Sequence, residues 1–270
     1  MHMSITILDG SPWWYLSPDI WVVPGTEPDG PSGVPTVGEP AFIWCRIHND
    51  GRVPVQNVVV DFYWADASTV ITRQSATHVG RSYATATQES VEVLCVTPWI
   101  PSFINGGHGC LIVEISDSGP PPPSSVPFEP PAEPHVAQHN LVLAPVGGKK
   151  HVALSFAAGA GRRGTTLVME RHKLSQLHGL IERAGLPSDL KEADEEVGFG
   201  LLAPGADPCG EVSTVHELAI DGPQAAIVQI AGEQVRPGTA ALVLVEERDG
   251  DRVLGGLAVV ALHIPSAHAT

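Results

Sequence analysis

Residues 41–64 read AFIWCRIHNDGRVPVQNVVVDFYW, and this stretch decides the fold class of the first part of the chain. Apolar side chains occupy alternate positions at its start, and this face consists of Ile43, Cys45 and Ile47. A period of two is typical of a strand with one buried face. The sequence Asn49-Asp-Gly51 is typical of a turn, and residues 58–64 alternate in the same way. The stretch therefore predicts two antiparallel strands.

Similar patterns continue along the whole chain. In the first half, further strands are predicted at residues 79–86, 90–97, 109–116 and 136–145. In the second half, strands are predicted at residues 152–156, 165–169, 212–220 and 225–230, followed by a hairpin over 240–262. One short helix is predicted at about residues 173–185, with an apolar side formed by Leu174, Leu177, Leu180 and Ile181. Short strands separated by Gly, Pro and Asn turns predict an all-β protein built of antiparallel sandwiches.

The length of 270 residues indicates two domains of ordinary size. Residues 117–134 contain eight prolines, which exclude a helix or a central strand there. We interpret this segment as an extended loop inside the first domain, because residues 136–145 read as a strand that returns to the first sheet. The predicted domains are therefore residues 1–147 and 148–270. All six tryptophans lie before residue 100, which indicates that the two cores are built differently.

Charge and hydropathy limit the classes of partner. The chain has 15 basic and 30 acidic residues, a net charge of −15, whereas binders of nucleic acid or anionic membranes normally carry the opposite sign. No run of 18 apolar residues is present, so membrane insertion is not expected. The N-terminal residues do not resemble a secretory leader. We expect synthesis in the cytosol, with signal-independent export or incorporation into an assembly as open alternatives.

Catalytic and cofactor motifs are weak. Gly159-Ala-Gly-Arg-Arg-Gly164 fits G-x-G-x-x-G, but the β-prone residues that follow do not start the helix that a dinucleotide site needs, so we predict a loop. The 12 histidines lack metal-ligand spacing, and neither H-E-x-x-H nor G-x-S-x-G occurs. We therefore predict no cofactor, no metal, no catalytic residue and no enzyme activity. A metal-dependent hydrolase without a recognisable motif stays as an alternative.

Several motifs in the first half occur in a recognisable order. They are Trp14–Val22, Ile47–Gly51, Asn57–Trp64, Pro98-Trp99, Gly107–Glu114 and His135–Asn140. With them, residues 14–145 resemble bacterial immunoglobulin-like modules of the cell-adhesion-related (CARDB-like) kind. The second half resembles this family only loosely, through its strand spacing. The resemblance implies two tandem immunoglobulin-like β-sandwiches, the second with one inserted helix. It also implies an accessory or interaction domain rather than a catalytic one.

The first domain contains a candidate disulfide pair, although adhesion-type sandwiches often lack such a bridge. In an immunoglobulin sandwich, two strands of opposite sheets can carry a bridge that packs over a tryptophan. Cys45 and Cys110 are the candidate pair, with Trp64 as the packing partner. The alternative is that both cysteines are buried free thiols that pack as small apolar side chains.

Clustered aromatic residues are the candidate contact residues. Trp13, Trp14 and Tyr15 precede the first strand, and Trp99 and Phe103 lie on a predicted loop. They can cap a core, anchor a protein partner or form a platform for a sugar. We predict a non-catalytic structural or protein–protein interaction module, which binds a protein partner or associates with copies of itself. A carbohydrate-binding module that uses exposed tryptophans is the second alternative.

Overall fold

The computed structural model describes residues 5–66, 70–87, 89–102, 109–116, 122–146, 151–159, 163–193, 196–232 and 235–263. Strands dominate these residues, so the all-β prediction is confirmed. Contacts between residues divide the chain into two compact units. Unit 1 is formed mainly by residues before Leu141, and unit 2 mainly by residues from Leu141 onward. No helix in the described part of the chain is long and apolar enough to cross a membrane.

Unit 1 consists of two antiparallel sheets. Its strands are β1 (Ile5–Thr6), β2 (Ile20–Pro24), β3 (Ala41–Asn49), β4 (Val55–Asp66), β5 (Thr77–Ala86), β6 (Glu89–Leu94), β7 (Gly109–Ser116) and β8 (Val136–His139). In sheet I, β3 pairs with β6 along one edge and with β2 and then β1 along the other. Sheet II has the order β5-β4-β7-β8.

The two sheets of unit 1 share one core. Alternate residues of β3 face it, as the period of two predicts, and they meet alternate residues of β4 and β7. The buried residues of this core include Ile43, Ile47, Val58, Val60, Phe62, Leu111 and Val113. The arrangement is therefore sandwich-like, with a core built from both inner faces.

Unit 2 also has two sheets. Its strands are β9 (Leu141–Val146), β10 (His151–Ala158), β11 (Arg163–His172), β12 (Lys191–Glu192), β13 (Gly198–Leu202), β14 (Glu217–Asp221), β15 (Gln224–Ala231), β16 (Thr239–Asp249) and β17 (Arg252–His263). Sheet III has the order β10-β15-β13, and sheet IV has the order β14-β11-β16-β17-β9, with β12 beside β16. The β9–β17 and β12–β16 pairs are parallel, so the prediction of a purely antiparallel second domain is wrong.

The C-terminal hairpin forms the centre of unit 2. Strands β16 and β17 pair along their whole length, and the two-residue turn at Gly250 and Asp251 has a positive φ of 59° at Gly250. Almost every residue of β16 is buried on both faces. The predicted helix is present but shorter: a 3₁₀ turn, Leu174–Leu177, next to β16, and then helix α1 (His178–Arg183).

Strand pairing divides residues 136–146 between the two units. Residues 136–146 read as one strand, but Asn140 separates β8 from β9. Strand β8 pairs with β7 in unit 1, whereas β9 pairs with β17 and adds Val142, Ala144 and Val146 to the core of unit 2. The boundary therefore lies between Asn140 and Leu141, and the predicted boundary at Gly147-Gly148 lies outside the described residues.

The proline-rich segment packs on the outer face of sheet II. Its described part, residues 122–134, places Phe128 in a small cluster with Cys110 and Ile112 of β7. Arg73 lies over the Phe128 ring at 4.5 Å, donates to both oxygens of Glu114 at 2.5–3.1 Å, and donates to the carbonyl oxygens of Val126 and Pro127. This buried ion pair therefore holds the segment against the sheet.

Candidate functional site

The N-terminal aromatic segment closes an edge of sheet II. Tyr15 is fully buried, whereas Trp13 and Trp14 are partly buried. The Ser17 N–H donates to the Gln138 carbonyl at 2.8 Å, and the Asn140 N–H donates to the Tyr15 carbonyl at 2.9 Å. The backbone groups at the edge of β8 are thus occupied. For Tyr15, the core-cap interpretation is correct and the partner-contact interpretation is wrong.

A polar network fixes this segment. Asp19 accepts hydrogen bonds from the Leu8 N–H at 3.0 Å and from His48 Nε2 at 2.7 Å. His139 Nδ1 lies 2.9 Å from the Ser17 carbonyl, which can only accept, so this nitrogen carries the proton. Burial lowers the pKa of His139, while its bond to Ser17 opposes that shift.

The same network contains a serine, an aspartate and histidines, but it does not form a nucleophile–base pair. The Ser17 hydroxyl donates to the Leu8 carbonyl at 2.6 Å and accepts from the Asp19 N–H at 3.1 Å. A serine nucleophile needs its hydroxyl directed at a base. We therefore assign this network a structural role.

Trp99 anchors a loop rather than presenting its ring. It is 8% exposed and packs in the core of unit 1. Its backbone pairs with Ala41 through two hydrogen bonds of 2.7 and 2.8 Å. Trp99 is therefore not available as a contact platform, which corrects that prediction. Phe103, the other predicted contact on this loop, lies outside the described residues.

The neighbours of Trp99 are exposed instead. Val96 is 67% exposed, Ile100 is 58% exposed, and Val37 of the adjacent loop is 40% exposed. The Gly38 N–H donates to the Pro101 carbonyl at 2.9 Å, which ties the two loops together. We call Val37, Val96 and Ile100 the apolar tip. Glu39 is the single charged residue of segments 34–40 and 96–102.

Cys95 fixes the base of the apolar tip. Its N–H donates to the Ile43 carbonyl at 2.8 Å, and its Sγ donates to the Thr97 carbonyl at 3.4 Å. Burial raises the pKa of Cys95 to about 11. Together with the Trp99 anchor, these bonds hold exposed apolar side chains on ordered loops. No motif in the sequence marks this arrangement, because it follows from the packing of Trp99 in the core of unit 1.

A second exposed surface lies on the outer face of sheet II, and we call it the polar sheet face. Asp61 of β4 is nearly buried and accepts two bonds of 2.8 Å from Arg81 and one of 2.8 Å from His78. Tyr63 packs edge-on against the His78 ring at 5.1 Å, and Tyr83 is 69% exposed. Sequence reasoning missed this surface, because no motif marks it and only strand pairing brings β4 and β5 together.

The candidate disulfide does not form. Cys45 and Cys110 are buried free thiols. Cys45 belongs to the core between the two sheets, whereas Cys110 lies on the outer face of sheet II beside Phe128. Successive residues of β7 point to opposite faces, so Leu111 faces the shared core and Cys110 cannot. Burial raises the pKa of both thiols well above its ordinary value.

Gly159, at the start of the glycine-rich stretch, contacts a protein carboxylate. The Gly159 N–H donates to both carboxylate oxygens of the buried Glu247, at 3.0 and 3.1 Å. The hydroxyl of Thr165 donates to the same carboxylate. Strand β11 begins at Arg163 and includes the predicted strand at residues 165–169, while residues 160–162 lie outside the described part of the chain. The Glu247 carboxylate thus accepts the hydrogen bond of the Gly159 N–H, a group that a bound phosphate would need as a donor.

Metal-ligating residues do not converge in the part of the chain that the structure describes: no three His, Cys, Asp or Glu side chains are grouped to hold an ion. Asp249 and Asp251 flank the tip of the C-terminal hairpin, where the chain reverses between β16 and β17. The hairpin-turn interpretation of this sequence is therefore correct.

Comparison with known proteins adds little. No protein family matches this chain, and no curated protein matches it. Among solved structures, the crystal structure of red sea bream transglutaminase is similar at 9% sequence identity and a TM-score of 0.24. The match covers 92% of this chain but 31% of that one. A TM-score this low does not establish a shared fold, and no activity is inferred from it.

Proposed function

We propose that this protein is a non-catalytic interaction module that associates with a second copy of itself through the apolar tip. The observation that carries the proposal is the exposure of three aliphatic side chains on hydrogen-bonded loops that hold one charged residue. Contiguous exposed apolar patches mark contact surfaces, and the hydrogen bond from Gly38 to Pro101 brings the loops of Val37 and Ile100 together. Depletion of charge is typical of the centre of an interface.

The immunoglobulin-like assignment is proposed for unit 1. Its strand orders, with β3 between β2 and β6 and with β5-β4-β7-β8 in the facing sheet, support this class. The parallel pairs of unit 2 do not favour it. In a sandwich of this kind, loops gather at the two ends. The apolar tip lies at one end of sheet I, because Val37 precedes β3 and because Val96 and Ile100 follow β6.

Net charge limits where two copies of the chain can meet. Two chains of net charge −15 repel each other over most of their surfaces. The apolar tip is a segment where they can meet with few charges opposed. Full burial of an exposed aliphatic side chain stabilises by about 1.5–3 kcal/mol, and Val37, Val96 and Ile100 can each gain only part of this because they are 40%, 67% and 58% exposed. Association costs about 4–15 kcal/mol, so six side chains from two tips support at most a weak dimer.

Light scattering on a size-exclusion column tests the proposal. The wild-type mass should rise towards that of a dimer as the concentration approaches about 1 mM, a range set by the weak free energy. The double variant Val96→Asp/Ile100→Asp should remain monomeric. Val53→Asp is the matched control, because Val53 is 70% exposed on the β3–β4 turn. A monomeric wild type, or equal association of all three proteins, would refute the proposal.

A further inference from the structure

The polar sheet face has a chemistry that the apolar tip lacks. It combines an exposed tyrosine, a half-exposed guanidinium and a half-exposed imidazole on the same side of sheet II. From this combination we infer that the polar sheet face binds a neutral saccharide, with Tyr83 as the ring platform and with Arg81 and His78 as hydrogen-bonding groups. This inference concerns a surface separate from the apolar tip and does not depend on self-association.

Asp61 orients the polar groups. The Asp61 carboxylate accepts hydrogen bonds from Nε and Nη2 of Arg81 and from Nε2 of His78, each at 2.8 Å. Both side chains are therefore fixed before a ligand arrives, which lowers the entropic cost of binding. The solvent side of the Arg81 guanidinium offers donors, and His78 Nδ1 points away from Asp61. Sugar hydroxyls both donate and accept, so they suit this mixed set.

The aromatic residues supply the apolar part of the site. The exposed Tyr83 ring lies on the strand that carries Arg81, two residues away, and its side chain also interacts with that guanidinium. Tyr63 packs against His78 and fixes the plane of that ring from the β4 side. A tyrosine offers a flat apolar face with a polar tip. The C–H face of a pyranose ring can therefore stack on Tyr83 while its hydroxyls reach Arg81 and His78.

Charge favours a neutral ligand over an anionic one. Arg81 and Asp61 form an ion pair, so the site itself carries little net charge. The whole chain carries −15, which repels acidic polysaccharides, nucleic acids and acidic proteins. A neutral saccharide needs no oppositely charged group at the site, and the negative charge of the chain does not repel it. Its affinity should consequently depend little on ionic strength.

Titration calorimetry with neutral oligosaccharides of glucose, N-acetylglucosamine, mannose and galactose tests the inference on the full chain. At least one should bind with a Kd near 1 mM, a value for a shallow open site. Tyr83→Ala should weaken that affinity about tenfold, since aromatic contact is lost, and the affinity should be the same at low and high salt. The apolar-tip variant Val96→Asp/Ile100→Asp should bind as the wild type does, which separates this site from the proposed dimer contact.

Three results would overturn the inference. The first is that no sugar of the panel binds. The second is binding that Tyr83→Ala leaves unchanged, because the ligand would then occupy another site. The third is binding of acidic saccharides or acidic peptides alone, with an affinity that falls steeply with salt, which would indicate an anion site at Arg81. Thermal unfolding of Tyr83→Ala should match that of the wild type, since this side chain is mostly exposed.

Discussion

His139 illustrates how one buried side chain couples the aromatic segment to pH. The ring is enclosed beside Ser17, and burial lowers its pKa below the ordinary value of 6.5. In the unfolded chain the ring takes up a proton as the pH falls through that ordinary value, whereas the folded chain resists it. The unfolded state then binds more protons, so the free energy of unfolding decreases with falling pH.

Urea unfolding of the wild type and of His139→Gln measures this effect. Between pH 6.5 and the lower folded pKa, the wild type should lose at most about 1.4 kcal/mol per pH unit through this group. Above pH 6.5 the contribution should be flat, because the ring is neutral in both states. The variant should show a shallower slope below pH 6.5. Identical slopes would show that His139 is not the titrating group.

Truncation of Arg73 tests how strongly the buried Arg73–Glu114 ion pair stabilises unit 1. Both side chains are almost buried, so Arg73→Ala leaves a buried carboxylate without its main partner. Loss of a partner in such a pair costs about 3–5 kcal/mol. Removing both charges should cost less than the sum of the single changes.

The exposed Arg46–Glu92 pair provides the control, because its members are 31% and 50% exposed. Arg46→Ala should cost about 0–1 kcal/mol. Chemical denaturation of the variants gives both values. If Arg73→Ala and Arg46→Ala destabilise unit 1 equally, the buried pair does not hold the proline-rich segment as we infer.

At the scale of elements, the alternation of side chains decides which cysteines can meet. Cys45 and Cys110 occupy strands of opposite sheets, and the general pattern of immunoglobulin sandwiches made them a candidate disulfide. Strand β7, however, directs Leu111 and Val113 to the shared core, so Cys110 faces away from it. The sequence predicted the strand correctly, but the face of a strand that is apolar on both sides cannot be deduced from a period of two.

Alkylation with iodoacetamide, followed by intact-mass measurement, tests this arrangement. The folded protein should gain one adduct, because Cys209 is exposed and the other three cysteines are buried. The protein unfolded in urea without reductant should gain four adducts, one for each free thiol. Two adducts in the unfolded protein would instead reveal a disulfide.

Element boundaries show what local pattern can and cannot decide. The period of two predicted β3, β4 and β7 closely, since each has one side in the core of unit 1. Residues 136–146 also read as a strand, but only tertiary pairing assigns β8 to β7 and β9 to β17. The parallel β9–β17 pair joins residues far apart in sequence. No local signal specifies such a pairing, so the boundary at Asn140 could not be predicted.

The candidate site, too, could be predicted only as far as local sequence pattern allows. Its location on the loop around Trp99 could be predicted, because aromatic residues in an apolar loop were evident in the sequence. The roles of the residues could not be predicted, since only tertiary packing places Trp99 in the core of unit 1 and leaves its neighbours exposed. The polar sheet face was missed entirely, as its residues converge only after β4 and β5 pair.

At the scale of the whole molecule, net charge governs which contacts are available. A charge of −15 disfavours close approach of two copies, and salt screens this repulsion. We therefore expect self-association to strengthen as the salt concentration rises. Sedimentation velocity at low and high salt measures the change. An association that weakens with salt would indicate a contact between opposite charges and not between apolar tips.

Disulfide trapping tests the central claim, that copies meet at the apolar tip, most directly. In a two-fold symmetric contact, a residue near the axis faces its own counterpart. We predict that Ile100→Cys, in a Cys209→Ser background, forms a covalent dimer under mild oxidation with diamide on non-reducing electrophoresis. Val53→Cys in the same background should remain monomeric. Equal trapping of both variants, or of neither, would contradict the claim.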